Sequence, residues 1–401
     1  MNNYYQKYLK YKKKYLHIIK NNIINTSSLL NKNNILKGGL NNNLGHINIE
    51  DKNITLYAIG DIHGDFELFK YILTKLLKVA IYNNETQSFT WNKNNIYLIF
   101  NGDLVDRGGR DSGNVVDIEK NDILIINSLI DLKKQAQKTN SDIILMCGNH
   151  ELMIFNQYFK YSTLDENQKK HIIRGSDFSV KYADNVLGLL RLNNLLFTHG
   201  GVCKEMFNPE NYNIDFNTND IITHINNLIR NWLKNDKPLT QKENQDMKTI
   251  LQGEEASPMW CRTFGSKDQN EDCAAEIDED VFNEIKKLNN IPKKYKNYLK
   301  MIIAHTVQNN GINSSCSEKV WRIDTGMSRA FDKHIHDYND NSTINRVKTK
   351  YEKYNNHRKI QVLQIKMDQQ GLFTKFKTIN SGYRTYNLIQ DSESLDKYLN
   401  Q

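Results

Sequence analysis

Cysteine is scarce in this chain, and the few residues present follow no metal-binding or disulfide-forming pattern. There are five cysteines, an odd number without a Cys-x-x-Cys pair: Cys147, Cys203, Cys261, Cys273 and Cys316. This arrangement argues against a disulfide framework and against a structural zinc site, and it is typical of a reducing compartment. We therefore expect these cysteines to serve packing rather than chemistry.

Long apolar stretches are missing as well. No run approaches the roughly 20 apolar residues that span a bilayer, and the N-terminus lacks the continuous apolar core of a secretory signal. These absences predict an intracellular, soluble protein of the cytoplasm.

Acidic residues are absent ahead of Glu50, so the beginning of the chain is strongly basic and carries much of the net charge of +8. Residues 1–20 combine many lysines with apolar and aromatic residues at three- and four-residue spacing, which predicts a basic amphipathic helix. Such a helix either packs on its own domain or a partner helix, or binds nucleic acid or an anionic membrane. Residues 21–50 are rich in Asn, Ser and Gly and predict a low-complexity linker.

The body of the chain, residues 51–401, alternates between two kinds of pattern. Short β-rich apolar runs predict strands at Ile54–Gly60, Ile96–Gly102, Asp142–Gly148, Leu195–His199, Met301–His305, Val320–Asp324 and Ile360–Ile365. Helical periodicity predicts helices at Phe66–Val79, Asp122–Gln137 and Ile221–Leu233. The alternation favours an α/β fold with ligands at the carboxyl ends of the strands. Residues 207–295 break the alternation and are interpreted as a partly helical insertion that caps the functional site.

Five polar clusters follow predicted strands. They are Gly60-Asp61-Ile62-His63-Gly64-Asp65, Gly102-Asp103-Leu104-Val105-Asp106-Arg107-Gly108, Gly148-Asn149-His150-Glu151, His199-Gly200-Gly201 and Ala304-His305-Thr306. In each, a strand delivers a polar side chain at its end, and neighbouring glycine lets the backbone turn sharply. One such cluster alone is as well explained by an ordinary turn, but five in succession indicate one shared site.

The side chains of these clusters offer oxygen and imidazole nitrogen, and no cluster contains cysteine. This donor set suits manganese, iron or zinc. Two ions roughly 3.5–4 Å apart can bind the attacking and leaving oxygens of an in-line displacement. We assign Asp103 as the bridging carboxylate, Asp61 and His63 to the first ion, and three residues to the second: Asn149, His199 and His305.

Hydrolysis of a phosphate ester also needs a proton for the leaving oxygen and positive charge for the phosphoryl oxygens. His150 stands beside the candidate ligand Asn149 and is the natural general acid, with Asp106 accepting a hydrogen bond that orients its ring. Arg107 lies on the same loop as Asp106, where its guanidinium can bind phosphate through two hydrogen bonds.

These motifs resemble, in their order, those of the calcineurin-like metallophosphoesterases, and within them the phosphoprotein phosphatase family. The resemblance covers roughly Leu56 to Gly326. It implies a four-layer α/β/β/α sandwich with mixed central sheets, two divalent metal ions, and the metal and acid roles given above at the matching positions.

Three further stretches are similar to the Shewanella-like phosphatases: Ser257-Pro258-Met259-Trp260-Cys261-Arg262, His305-Thr306-Val307-Gln308 and Ile323-Asp324-Thr325-Gly326-Met327-Ser328. The similarity implies that Arg262 is a second phosphate-binding arginine, and its neighbour Cys261 is a candidate for redox sensitivity. No SAPNY-like stretch occurs near the C-terminus, so the regulatory subunits of eukaryotic serine/threonine phosphatases are not implied.

The heavy use of Asn, Lys and Ile resembles proteins of giant amoeba-infecting viruses, which would make the chain virion-associated. The leading function is hydrolysis of phosphoserine, phosphothreonine or phosphotyrosine in proteins. A symmetrical dinucleoside tetraphosphate hydrolase carries the same motifs and is the alternative. A further alternative, of another class, is a non-catalytic scaffold tethered by residues 1–20.

Overall fold

The computed structural model describes residues 44–108, 120–213, 220–252, 255–268, 276–287, 291–331 and 359–383. The helix predicted for residues 1–20 lies outside these ranges, as does most of the linker predicted for residues 21–50, and both stay predictions. None of the helices in the described ranges combines the length and apolarity that crossing a bilayer requires.

Two six-stranded sheets and a small hairpin make up the β-structure of the described residues. In chain order the strands are β1 (His46–Ile47), β2 (Thr55–Ile59), β3 (Ala80–Asn83), β4 (Ser88–Trp91), β5 (Ile96–Phe100), β6 (Asp142–Met146), β7 (Val186–Leu187), β8 (Leu189–Leu192), β9 (Leu195–Thr198), β10 (Lys300–Ile303), β11 (Asn313–Ser315), β12 (Val320–Arg322), β13 (Lys359–Met367) and β14 (Phe373–Tyr383).

Both large sheets mix parallel and antiparallel pairs. The first has the order β14-β13-β2-β5-β6-β7, in which β2, β5, β6 and β7 are parallel. The second has the order β1-β8-β9-β10-β12-β11, in which β9, β10 and β12 are parallel. Strands β2 and β5 occupy the centre of the first sheet, and β6 lies between β5 and β7. Because both faces of an interior parallel strand are covered, β6 is buried along its whole length.

The helices of the described ranges are α1 (Phe66–Tyr71), α2 (Asp122–Ala136), α3 (Asn149–Phe155), α4 (Glu166–His171), α5 (Asp177–Ala183), α6 (Ile221–Lys234), α7 (Gln241–Gln252), α8 (Glu276–Lys287) and α9 (Lys293–Lys296). Helix α1 passes directly into a π-helical turn at Ile72–Leu76, so the helical segment ends before the predicted Val79.

The two sheets pack face to face, with helices on their outer sides. Successive side chains of a strand point to opposite faces. Alternate residues of β5 therefore face either the other sheet or the outer helices. Tyr97 and Ile99 join the cluster between the sheets, which also contains Leu190 and Phe197. Leu98 and Phe100 belong to the second cluster, which contains the helix residues Phe69, Ile125, Leu129, Ile225 and Ile229. The predicted four-layer α/β/β/α sandwich with mixed sheets is confirmed.

The segment predicted as a cap, residues 207–295, contains α6, α7 and α8. Helix α6 buries a broad apolar face that contacts β8. Helix α7 contacts α3, the helix that begins with Asn149. The capping role of this segment stays a prediction.

Candidate metal centre

The motif residues meet because the strands that precede them end on the same side of the two packed sheets. Strands β2, β5 and β6 are parallel neighbours, and β9 and β10 are parallel neighbours in the other sheet. A pair of hydrogen bonds joins the two sheets at this edge. The Asn101 side chain donates to the Thr198 carbonyl at 2.9 Å, and the ring of His199 lies 2.8 Å from the Asn101 carbonyl.

Several candidate residues have a left-handed backbone. His63, Asp103, Asp106 and His305 have φ angles of 44°, 51°, 69° and 65°. Residues other than glycine rarely adopt this region, and they do so at a cost of order 1–3 kcal/mol where the surrounding structure holds them. These turns direct the side chains into the space between the strand ends.

Asp103 lies at the centre of the cluster. Its Oδ1 accepts a hydrogen bond from the His150 backbone amide at 3.0 Å, which fixes the carboxylate. Its Oδ2 lies 3.2 Å from His199 Nε2, 3.8 Å from His63 Nε2 and 3.9 Å from His150 Nε2. Burial alone would raise the pKa of Asp103, but the charges of His199, His150 and His63 hold it well below its usual range. This carboxylate lies between the two groups of candidate ligands and would be shared by both.

The remaining candidate ligands flank Asp103. Asp61 Oδ2 lies 3.6 Å from His63 Nε2 on one side. On the other side His199 Nε2 lies 3.0 Å from Asn149 Oδ1, and the rings of His199 and His305 are 5.1 Å apart. Asp103, His199 and His305 present donor atoms within 4.8 Å of one another, as do Asp103, His63 and His150. The structure therefore brings all six predicted ligands together.

The donor atoms fit a divalent cation on physical grounds. Asp61 Oδ1 and His305 Nε2 are buried and have no hydrogen-bond partner within the described part of the chain. Burial, with the nearby charges of Asp324 and Asp103, raises the pKa of Asp61 well above its usual range. Burial, with the charges of His199 and Arg262, holds the pKa of His305 well below its usual range, which favours the neutral, metal-binding ring. A bound cation would offset the repulsion among the carboxylates.

The predicted acid pair is in contact. His150 Nδ1 lies 2.7 Å from Asp106 Oδ2, and both side chains are buried. The backbone amide of Asp106 donates to Asp122 Oδ2 at 3.0 Å. The other ring nitrogen of His150 faces Asp103, so the ring is oriented with its Nε2 toward the candidate metal centre.

The two predicted arginines have different surroundings. Arg107 is buried, with 4% of its surface exposed. Arg262 is exposed at the rim, where its guanidinium donates to the His305 carbonyl at 3.4 Å and to Thr306 Oγ1 at 3.2 Å.

Three buried acids belong to this centre although the sequence patterns assigned them no role. Glu151 accepts hydrogen bonds from three backbone amides of the motif loops. Asp122 binds the amide of Asp106, and Asp324 lies against Asp61. Glu151 and Asp324 stand inside stretches that the motifs single out, which was the available signal. Asp122 begins α2 and resembles an ordinary first-turn residue.

One expectation from the sequence is wrong. The structure joins Cys203 and Cys261 in a disulfide, with their Cα atoms 6.7 Å apart and a sequence separation of 58. Spacing along the chain does not report this proximity, because it arises where the segment around Pro258 packs on the loop after β9. Cys147 is a buried free thiol, as expected.

The fold and the site define a hydrolase with an α/β/β/α sandwich and candidate metal ligands at the strand ends. The family described as "Calcineurin-like phosphoesterase" matches residues 54–306. The chain therefore belongs to the calcineurin-like phosphoesterase family, whose members use divalent metals.

Relatives and solved structures agree with this assignment. An uncharacterized protein of Acanthamoeba polyphaga mimivirus is 28% identical over 237 residues, which cover 51% of this chain and 90% of that protein. Shewanella-like protein phosphatase 1 of Plasmodium berghei is 34% identical over 162 residues, which cover 37% of this chain and 39% of that protein. The crystal structure of a cold-active protein-tyrosine phosphatase of a psychrophilic Shewanella shares the fold, with a TM-score of 0.51 at 16% identity and coverage of 84% and 82%.

Proposed function

We propose that this hydrolase is a protein phosphatase, which removes phosphate from serine, threonine or tyrosine side chains. The observation that carries the proposal is the convergence of six candidate ligands and the His150–Asp106 pair at adjoining strand ends of the two sheets. The names of the Plasmodium and Shewanella relatives point to phosphoprotein substrates.

Two groups of residues would hold the metal ions. Asp61, His63 and Asp103 form one group; Asp103 joins the other three ligands, Asn149, His199 and His305, in the second. When bound, two divalent ions lower the pKa of water and neutralise charge on the phosphoryl oxygens. The oxygen and nitrogen donors suit manganese, iron or zinc.

His150 would donate the proton to the leaving oxygen. The Asp106 carboxylate accepts from Nδ1 at 2.7 Å, which keeps the transferable proton on Nε2, the nitrogen that faces the centre. Arg107, buried on the same loop, and Arg262, at the rim, would bind the phosphoryl oxygens from two directions.

A pocket of about 240 Å³ adjoins the centre and suits a side chain of a peptide substrate. It is lined by Leu152, Met153, Asn156, Tyr158, Leu251, Gln252 and Trp260. Helix α3 connects it to Asn149, and the Trp260 ring lies 6.0 Å from the His305 ring. Its lining is mainly apolar, as is common for binding pockets.

The first test is hydrolysis of p-nitrophenyl phosphate by the purified full chain, with and without manganese. We expect metal-dependent turnover that Asn149→Ala and His150→Ala abolish or greatly reduce, whereas His171→Ala, at an exposed histidine outside the centre, keeps it. Phosphopeptides and diadenosine tetraphosphate are then compared as substrates. Preference for the dinucleotide would replace the proposed function by its alternative, and absence of all turnover with manganese, iron or zinc would favour the scaffold.

A further inference from the structure

The Cys203–Cys261 bond connects two segments of the candidate metal centre. Cys203 lies in the loop after β9, four residues beyond the candidate ligand His199. Cys261 immediately precedes Arg262, the candidate phosphate-binding residue at the rim. Both cysteines are buried, with 1% and 0% of their surfaces exposed.

The segment ahead of Cys261 is held on the end of β9 by a single carbonyl. Pro258 O accepts hydrogen bonds from Thr198 Oγ1 at 2.8 Å, from the Gly200 amide at 2.7 Å and from the Gly201 amide at 3.2 Å. The disulfide is a covalent connection three residues further along the chain. It therefore extends the attachment of this segment up to the residue next to Arg262.

The side chain of Arg262 has weaker support. It is exposed, and the two hydrogen bonds of its guanidinium, to His305 O at 3.4 Å and to Thr306 Oγ1 at 3.2 Å, are at the long end of the hydrogen-bond range. The backbone of Arg262 is held separately, because its carbonyl accepts from the Ser266 amide at 2.8 Å. A long side chain on the surface samples many rotamers, so the position of its Cα matters for how well the guanidinium is directed to the centre.

We propose that Cys203 and Cys261 are a reversible redox modification site, and that the closed bond positions Arg262 for binding the phosphoryl group. The proposal rests on the phosphate-binding role of Arg262 within the proposed function. Cys203 and Cys261 are positioning residues here, because they act through Arg262 and not on the substrate.

The reaction partner is a dithiol or its disulfide. On reduction the Cys203–Cys261 bond breaks, each sulfur gains a proton, and the partner dithiol gives two electrons and two protons as it closes its own disulfide. The reverse exchange with an oxidised partner restores the bond.

The first measurement establishes the state of the sulfurs in the full chain. Protein purified without reductant is alkylated, digested and mapped by mass spectrometry. We expect a cross-linked peptide pair containing Cys203 and Cys261, which disappears after treatment with a phosphine reductant. Absence of the cross-link in protein exposed to a disulfide oxidant, or a metal ion bound between the two thiols, would overturn the proposal.

The second measurement is the effect on kinetics with p-nitrophenyl phosphate and manganese. A phosphine is used because dithiols bind metals. Reduction should raise KM about tenfold, which corresponds to the loss of one charge-assisted hydrogen bond to the substrate. The value of kcat should stay within about twofold. Cys203→Ser should behave like the reduced wild type and should not respond to the reductant. Chemical reduction of the wild type supplies the same comparison if that variant does not fold.

Arg262→Ala separates an effect through the arginine from a general loosening of the site. This variant should have a raised KM, and reduction should not raise it further. The two effects do not add because the disulfide acts through the arginine that the variant lacks. An equal rise of KM in wild type and Arg262→Ala would refute the positioning role. The readouts do not depend on the natural substrate, so failure to hydrolyse phosphopeptides would refute the protein-phosphatase function and leave this inference standing.

Discussion

Replacing Glu151 with alanine should destabilise the fold and weaken metal binding together, because one buried carboxylate holds three backbone amides. Its Oε1 accepts from the Leu104 amide at 2.6 Å. Its Oε2 accepts from the Asp103 amide at 3.0 Å and from the Gly148 amide at 2.7 Å. The side chain thus joins the loop that contains Asp103 to the loop that ends in Asn149.

The magnitude follows from the number of amides left without an acceptor. Each buried N–H without a partner costs about 1–3 kcal/mol, and water entering the space left by the side chain recovers part of that cost. We expect a loss of roughly 3–6 kcal/mol, which at an m-value of about 3 kcal/mol/M lowers the urea midpoint by about 1–2 M. Glu151→Gln should lose about half as much, since its amide oxygen still accepts from part of the set.

The assay is urea unfolding of chelator-treated protein, followed by calorimetric titration with manganese. Glu166→Ala is the matched control, because the Glu166 side chain is 83% exposed and pairs with a surface lysine. Glu151→Ala should unfold at lower urea and bind manganese more weakly than this control. Equal urea midpoints and equal manganese affinities for the two variants would show that the hydrogen bonds of Glu151 stabilise neither the fold nor the metal centre.

Other substitutions test the acid pair, a buried acid and a close backbone approach. His150→Ala should lower kcat by about 10²–10⁴-fold, more for an alkyl phosphate than for p-nitrophenyl phosphate, and an equal loss on both esters would exclude it as the proton donor. Burial beside Asp106 raises the pKa of Asp122 from 3.8 to about 8. Between these pH values the folded, metal-free protein keeps a proton on Asp122 that the unfolded chain releases, so the free energy of unfolding falls as pH rises. Asp122→Asn should remove that loss, which urea midpoints at pH 5 and pH 8 would show; an unchanged pH dependence would contradict it. A Cβ at Gly148 would lie 2.2 Å from Asp103 Oδ1, so Gly148→Ala should weaken manganese binding in calorimetry, and wild-type affinity would argue against this close approach.

Sequence patterns predicted the interior strands of the sheets well, because a strand covered on both faces needs apolar residues at nearly every position. A parallel strand covered on both faces is largely apolar, and in Asp142–Met146 the four residues after Asp142 are apolar and buried. Polar motifs at strand ends then meet, because parallel neighbours end at one edge. The prediction that Asp61 and Asp103 lie close together needed only that geometry; their roles as metal ligands are proposals.

Local patterns were less informative where the chain departs from regular geometry. The segment predicted as one helix, Phe66–Val79, changes to a π-helical turn at Ile72–Leu76, and the change leaves no distinct mark in the apolar periodicity.

What the sequence determined by itself, then, is the position of the seven predicted strands, the set of polar residues at their ends, and the oxygen and nitrogen donors which that set offers. Tertiary structure alone decided which distant residues support the set. Glu151 is recognisable as an acceptor only once two loops approach it, and Cys203 and Cys261 meet only because the Pro258 segment packs on β9. The physical reason is that periodicity and propensity act within a few residues, whereas buried hydrogen bonds and disulfides depend on distances that only the folded chain establishes.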